Sequence, residues 1–156
     1  MDERDYAFMK KLILIIYCFL MLPCHFLFAQ QQQLDSLKAV LEITNGPLRL
    51  AIFEKIIEHE IAAFELEEAK KYAKQALSES EKMNFLYGIA KSLRYLSQIY
   101  NYQGKHQEAI ESGYRSLKFS EKIKDILEIA CANYYIGLHY LYTSKYDTWN
   151  LIFFLC

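Results

Sequence analysis

An all-α fold, a solenoid of stacked antiparallel helical hairpins, is predicted by three observations. Only five Gly and two Pro occur in 156 residues, too few for a sheet protein with many tight turns, while Leu, Ile, Ala, Glu and Lys, which suit helices, dominate. Apolar residues recur at intervals of three and four, as in Ile89, Leu93, Leu96, Ile99 and Tyr100, which is one face of a helix. The chain also matches itself at a shift of about 40 residues: Ser80-Glu81-Lys82 falls on Ser120-Glu121-Lys122, Ile89-Ala90 on Ile129-Ala130, Tyr95 on Tyr135, Tyr100 on Tyr140, and Glu68-Ala69 on Glu108-Ala109. A hairpin of two helices cannot hide its apolar faces alone, so such units stack and share a core. With 53% apolar and 24% charged residues the chain has enough surface to bury.

The first 29 residues read as a signal peptide. Met9-Lys10-Lys11 forms a basic start, Leu12 to Leu22 an apolar run, and Phe28-Ala29-Gln30 a cleavage site after Ala29. The acidic stretch before Met9 suggests that translation begins at Met9. An uncleaved anchor needs roughly 20 apolar residues, and Leu12 to Phe28 is short of that and interrupted by Pro23, Cys24 and His25. Lipid attachment at Cys24 is disfavoured by the Pro directly before it. Export, to the periplasm or envelope, is the expectation.

Residues 30–47 form a polar linker and a short amphipathic helix, Leu34 to Glu42, ended by Asn45-Gly46-Pro47 and expected to cover the open end of the stack. Residues 48–147 hold about two and a half hairpins. In the clearest one, helix A runs to Gln103-Gly104, where Gly takes the left-handed conformation that ends a helix cheaply. Helix B starts near His106, with Ala109, Ile110, Leu117 and Phe119 inward and Glu108, Glu111, Arg115 and Lys118 outward. Ser97, Gly137, Ala69 and Ala109 are expected at close approaches of helix backbones.

The run from Leu96 through Tyr100, Gly104 and Ala109 to Glu111 resembles the middle of a tetratricopeptide repeat, with its Leu, small residue, Tyr, turn Gly and Ala at the expected spacings. Ile136-Gly137 and Tyr140 repeat its first part; Ala69, Ala73, Ala76 and Leu77 supply the second helix of an earlier unit. The period exceeds the 34 residues usual in that family, so the helices should be longer. Ile57 and Glu60 stand where a small residue and Tyr are expected, which makes the first helix A the most divergent. The resemblance spans roughly Leu50 to Tyr146, and the chain resembles the exported N-terminal sensor portion of bacterial envelope signalling proteins.

That resemblance implies a non-catalytic scaffold that binds a peptide or partner protein on the concave face lined by helices A. Positions pointing away from helix B carry Lys91, Arg94, Gln98, Asn101 and Tyr102 in the second unit, and Tyr134, Leu138 and Tyr142 in the third. The carboxylate-gripping Lys and Asn arrangement of the family is not reproduced. A stand-alone secreted or periplasmic adaptor and a small membrane-anchored protein are the competing readings.

Residues 148–156 are expected to form an irregular apolar tail, with Trp149 where Ala is expected and Leu151 to Cys156 uncharged. A truncated frame, a tail that folds back, and self-association through this end all fit it. The net charge of -1, with both signs interspersed, argues against nucleic acid as a partner. The four cysteines, Cys18, Cys24, Cys131 and Cys156, lack metal-ligand or CxxC spacing, and His59, His106 and His139 lie in different units. No cofactor, metal or catalytic residue is expected, and the thirteen tyrosines read as packing between helices.

Overall fold

Twenty-residue spacing of left-handed residues organises the chain. Phe64, Asn84, Gly104 and Lys124, each twenty positions from the last, have φ of 63°, 51°, 68° and 58°. Each ends one helix by the same pair of bonds: Phe64 N–H donates to the Ile61 carbonyl and Glu65 N–H to the Glu60 carbonyl, repeated at Asn84 and Phe85, Gly104 and Lys105, and Lys124 and Asp125. This is the Schellman closure, which satisfies carbonyls left over at a helix C-terminus. The following residue then starts the next helix, since the carbonyls of Glu65, Phe85, Lys105 and Asp125 accept from the amides of Ala69, Ile89, Ala109 and Ile129. Links this tight bring consecutive helices side by side.

The computed structural model describes the backbone of residues 31–154 and the side chains of 31–143. The signal peptide expected over 1–29, its alternatives and Cys18, Cys24 and Cys156 lie outside the described residues, as do the side chains of Trp149 and the apolar tail. Among the described residues every regular element is a helix. The chain divides into two units, Met1–Glu42 and Ile43–Cys156. In the first, α1 covers 31–43 with Leu34 and Leu41 buried, Leu37 half-buried and Val40 exposed. The second holds α2 (Gly46–Ala62), α3 (Leu66–Lys82), α4 (Leu86–Tyr102), α5 (His106–Ile123) and α6 (Ile126–Phe154). The break before α2 is only Thr44 and Asn45, shorter than expected, because Pro47 sits in the first turn of α2, where its missing N–H costs nothing.

Large apolar residues come from α2 and α4, small ones from α3 and α5. Leu50, Phe53, Ile56 and Ile57 on α2, and Ile89, Leu93, Leu96 and Ile99 on α4, are buried. Facing them, α3 buries Ala69, Ala73, Ala76 and Ser80, and α5 buries Ala109, Gly113, Ser116 and Ser120 at positions forty further on. Ile110, Leu117 and Phe119, expected inward on α5, are only half-buried. The inner stripe of α5 is small because backbones meet there: a Cβ on Gly113 would stand 2.8 Å from Ile136 Cγ1 and 3.1 Å from Ser97 Oγ. Four buried hydroxyls are satisfied, Ser97 donating to the Ala109 carbonyl at 2.8 Å and Ser116 to that of Ala90 at 2.8 Å, while Ser80 and Ser120 bond back into their own helices.

Consecutive helices from α2 to α6 pack together, and α4 additionally packs on both α2 and α6. The result is a repeat-like helical fold. Two expectations fail at its C-terminal side. The boundary expected at residue 147 is not marked by a break in the chain: α6 runs unbroken for 29 residues to Phe154, so the tail over 148–154 is helical. In register, Ser144 falls where Gly104 turns the chain, and nothing at that point favours the left-handed conformation. Gly137, expected at a close approach, is exposed and a Cβ there would meet nothing within 4 Å, because among the described residues no helix packs on that side of α6.

Candidate functional site

Helices α2, α4 and α6 carry the polar residues expected to face a partner, and several of them hold the helices together instead. Glu54 and Glu58 on α2 lie one turn apart, as do Lys91 and Tyr95 on α4, so the pairs meet in register. Lys91 Nζ lies 2.8 Å from Glu54 Oε2 and 4.9 Å from the Tyr87 ring centre, and Tyr95 OH donates to Glu58 Oε1 at 2.8 Å. Burial alone would lower the Lys91 ammonium, but hydrogen bonds to Glu54 and Tyr87 hold it above the usual lysine range. Burial would likewise raise the Glu58 carboxyl, yet the bonds from Tyr95 and Lys55 keep it below the usual range. Burial pushes the Tyr95 hydroxyl up.

Arg94 is 9% exposed, and its Nε is 2.9 Å from Glu128 Oε2 on α6, itself 2% exposed. Desolvation opposes the charge on Arg94, and the Glu128 carboxylate more than restores it. The Glu128 amide in turn donates to Asp125 Oδ1 at 3.0 Å, which caps α6. Lys91 and Arg94 therefore join helices, and the cationic grip expected of them is already occupied by Glu54 and Glu128.

About two turns further along α4, the arrangement opens. Asn101, Tyr102, Gly104, His106 and Tyr142 line a cleft of about 260 Å³ between the C-terminal end of α4, the start of α5 and α6. Asn101 is 7% exposed; its Nδ2 donates to the Tyr135 carbonyl at 3.1 Å, and its Oδ1 is buried without a hydrogen-bond donor among the described residues. A buried acceptor left open is costly, so it suits a donor brought by a ligand. Tyr102 and Tyr142 are exposed, and the Tyr102 ring centre is 6.0 Å from that of Phe64. Gln98 reaches Tyr102 OH at 3.5 Å. Leu138 is half-buried, whereas Tyr134 is 60% exposed with its ring 5.1 Å from that of Tyr135.

Of the residues expected to bind, Asn101, Tyr102 and Tyr142 thus come together in one cleft, Gln98 adjoins Tyr102, Lys91 and Arg94 are paired elsewhere, and Tyr134 and Leu138 do not line the cleft. His106 and Gly104 were not foreseen. His106 is the first residue of α5, and its ring centre is 5.5 Å from that of the buried His139, whose other side meets Tyr140 at 5.3 Å. Burial and the neighbouring His106 both lower the tendency of His139 to protonate.

A second groove, of about 230 Å³, lies between α3 and α5 over Leu93, Leu96 and Tyr100, with Lys74, Glu108, Glu111 and Arg115 on its walls. Among the described residues no group of His, Cys, Asp and Glu is arranged to hold a metal ion, and no helix is long and apolar enough to cross a membrane. The chain matches no protein-family model, and a search of curated proteins finds no match to it.

Proposed function

We propose that the chain is a non-catalytic interaction scaffold of the tetratricopeptide type, exported through its N-terminal segment, that holds an extended peptide in the cleft of Asn101, Tyr102, His106 and Tyr142. The observation that carries the reading is the buried Asn101 amide in the cleft wall: its Nδ2 is fixed to the Tyr135 carbonyl, and its Oδ1 is buried with no donor among the described residues, so a donor entering the cleft would relieve it. Such an atom recognises a peptide N–H, independently of side-chain identity. Tyr102 and Tyr142 offer rigid aromatic walls with polar tips, a surface suited to a partly polar segment.

Two further features support it. The direct packing of α4 on α2 and α6, while Arg115 of α5 lies 3.8 Å from Glu81 of α3 at the surface, fits a curved stack with helices A on the inner side. The forty-residue register of small residues on α3 and α5 fits hairpins that repeat. The export reading rests on the order of Met9-Lys10-Lys11, the apolar run and Ala29.

Selection of a random displayed peptide library on the immobilised full chain tests the reading. Enriched peptides should bind at least about tenfold more weakly when Tyr102 and Tyr142 are both replaced by Ser. Binding that ignores these substitutions, or no enrichment at all, removes the cleft from consideration.

A further inference from the structure

The three helices α2, α4 and α6 carry one stripe in common register, and it is covered on two of them and bare on the third. On α2 the stripe is Leu50, Phe53 and Ile57, and on α4 it is Ala90, Leu93 and Ser97; all are buried. Forty positions beyond α4 it continues as Ala130, Asn133 and Gly137 on α6, all exposed. Around it stand Ile126 at 82% exposure, Leu127 at 70% and Tyr140 and Leu141, an apolar margin that water does not reward. Between Ile129 and Thr143 there is no Asp, Glu, Lys or Arg.

What covers such a stripe is visible twice in this molecule. α3 covers it on α2 with Ala69, Ala73, Ala76 and Ser80; α5 covers it on α4 with Ala109, Gly113, Ser116 and Ser120. The contact is intimate, with the Ser97 hydroxyl on the Ala109 carbonyl at 2.8 Å and the Ser116 hydroxyl on the Ala90 carbonyl at 2.8 Å. Larger residues would hold the backbones apart. Gly137 makes α6 at least as receptive as α4, because no side chain occupies the place of Ser97.

We propose that the Ala130, Asn133 and Gly137 stripe of α6 is a docking face for a partner helix bearing Ala, Gly or Ser at positions i, i+4, i+7 and i+11. The proposal continues, one unit further, an interface the chain already builds twice. The partner's contact stripe is uncharged, its polar residues lying outward as Glu108, Glu111, Arg115 and Lys118 do on α5. This face is separate from the cleft of Asn101, and either can fail without the other.

The probe is a capped, fluorescent peptide with the sequence His106 to Ile123, titrated into the full chain and read by anisotropy. A free helix of this length pays to order itself, so the ratio between variants is the readout, not the affinity. Saturable binding is expected, weakened at least about tenfold by Gly137→Leu or by Asn133→Arg in the chain, and equally by Gly113→Leu with Ser116→Leu in the peptide. Both chain positions are exposed and a Cβ on Gly137 meets nothing, so the variants keep the parent fold, checked by circular dichroism. No saturable binding, or binding indifferent to these changes, overturns the proposal. So does a dimer in sedimentation that Gly137→Leu dissociates, since a second copy would then occupy the face.

Discussion

At single residues, the strongest constraints are conformational and electrostatic. Gly104 has φ of 68° and open space where a Cβ would stand, so Gly104→Ala changes the backbone preference and little else. It should cost about 1 kcal/mol, read as a lower urea midpoint with unchanged slope. Lys124, at φ of 58°, sits in the equivalent turn, and Lys124→Gly should move the midpoint the opposite way. Arg94 and Glu128 form a pair with side chains 11% and 3% exposed. Glu128→Ala strands the guanidinium, and a loss of about 3 kcal/mol is expected in the same measurement. His139 adds a pH dependence. Its protonation is disfavoured in the folded chain, so the unfolded chain binds the extra proton first. Stability is full above the ordinary histidine value of 6.5 and falls as the pH drops below it. His139→Gln should remove that part of the decline in thermal melts taken across the range.

Helices and their junctions show which features a sequence can carry. Gly104, Ala69 and Ala109 were legible because a turn glycine and a small inward residue have few other uses. The turns at Phe64 and Lys124 were not, since those residue types do not advertise a left-handed backbone; Asn84 is a type that tolerates it, and the twenty-residue spacing ties all three to Gly104. Ion pairs were hidden for a related reason. Lys91 and Arg94 look like free cations on a helix face, and their partners Glu54 and Glu128 are 37 and 34 residues away, visible only once the helices are stacked. Asn101, Tyr102 and Tyr142 could be grouped from sequence because they fall at helix A positions that point away from helix B; His106, which joins them in the cleft, belongs to the next helix and carries no such signal. The two glycines of the repeat make a paired test. At Gly113 an added methyl would crowd Ile136, so Gly113→Ala should cost about 1–3 kcal/mol despite the better helix former. Gly137 is open, and Gly137→Ala should stabilise by about 0.5–1 kcal/mol through propensity alone. Equal effects at both sites in chemical denaturation would mean that α5 and α6 are not packed as described.

Across the molecule, alternation of bulky stripes on α2 and α4 with small-residue stripes on α3 and α5 fixes the order of packing, and polar bonds between α2, α4 and α6 lock the register. The cleft of Asn101 forms where those locks stop, between the C-terminal end of α4 and the middle of α6, and a buried acceptor is left without a donor there. The most direct test is amide hydrogen exchange on the full chain, with and without a peptide selected on it. Added protection is predicted over residues 98–106 and 138–142, with α2 and α3 unchanged. Protection confined to the α3 and α5 groove, or spread evenly along the chain, would contradict the assignment of the cleft as the place where this protein holds its partner.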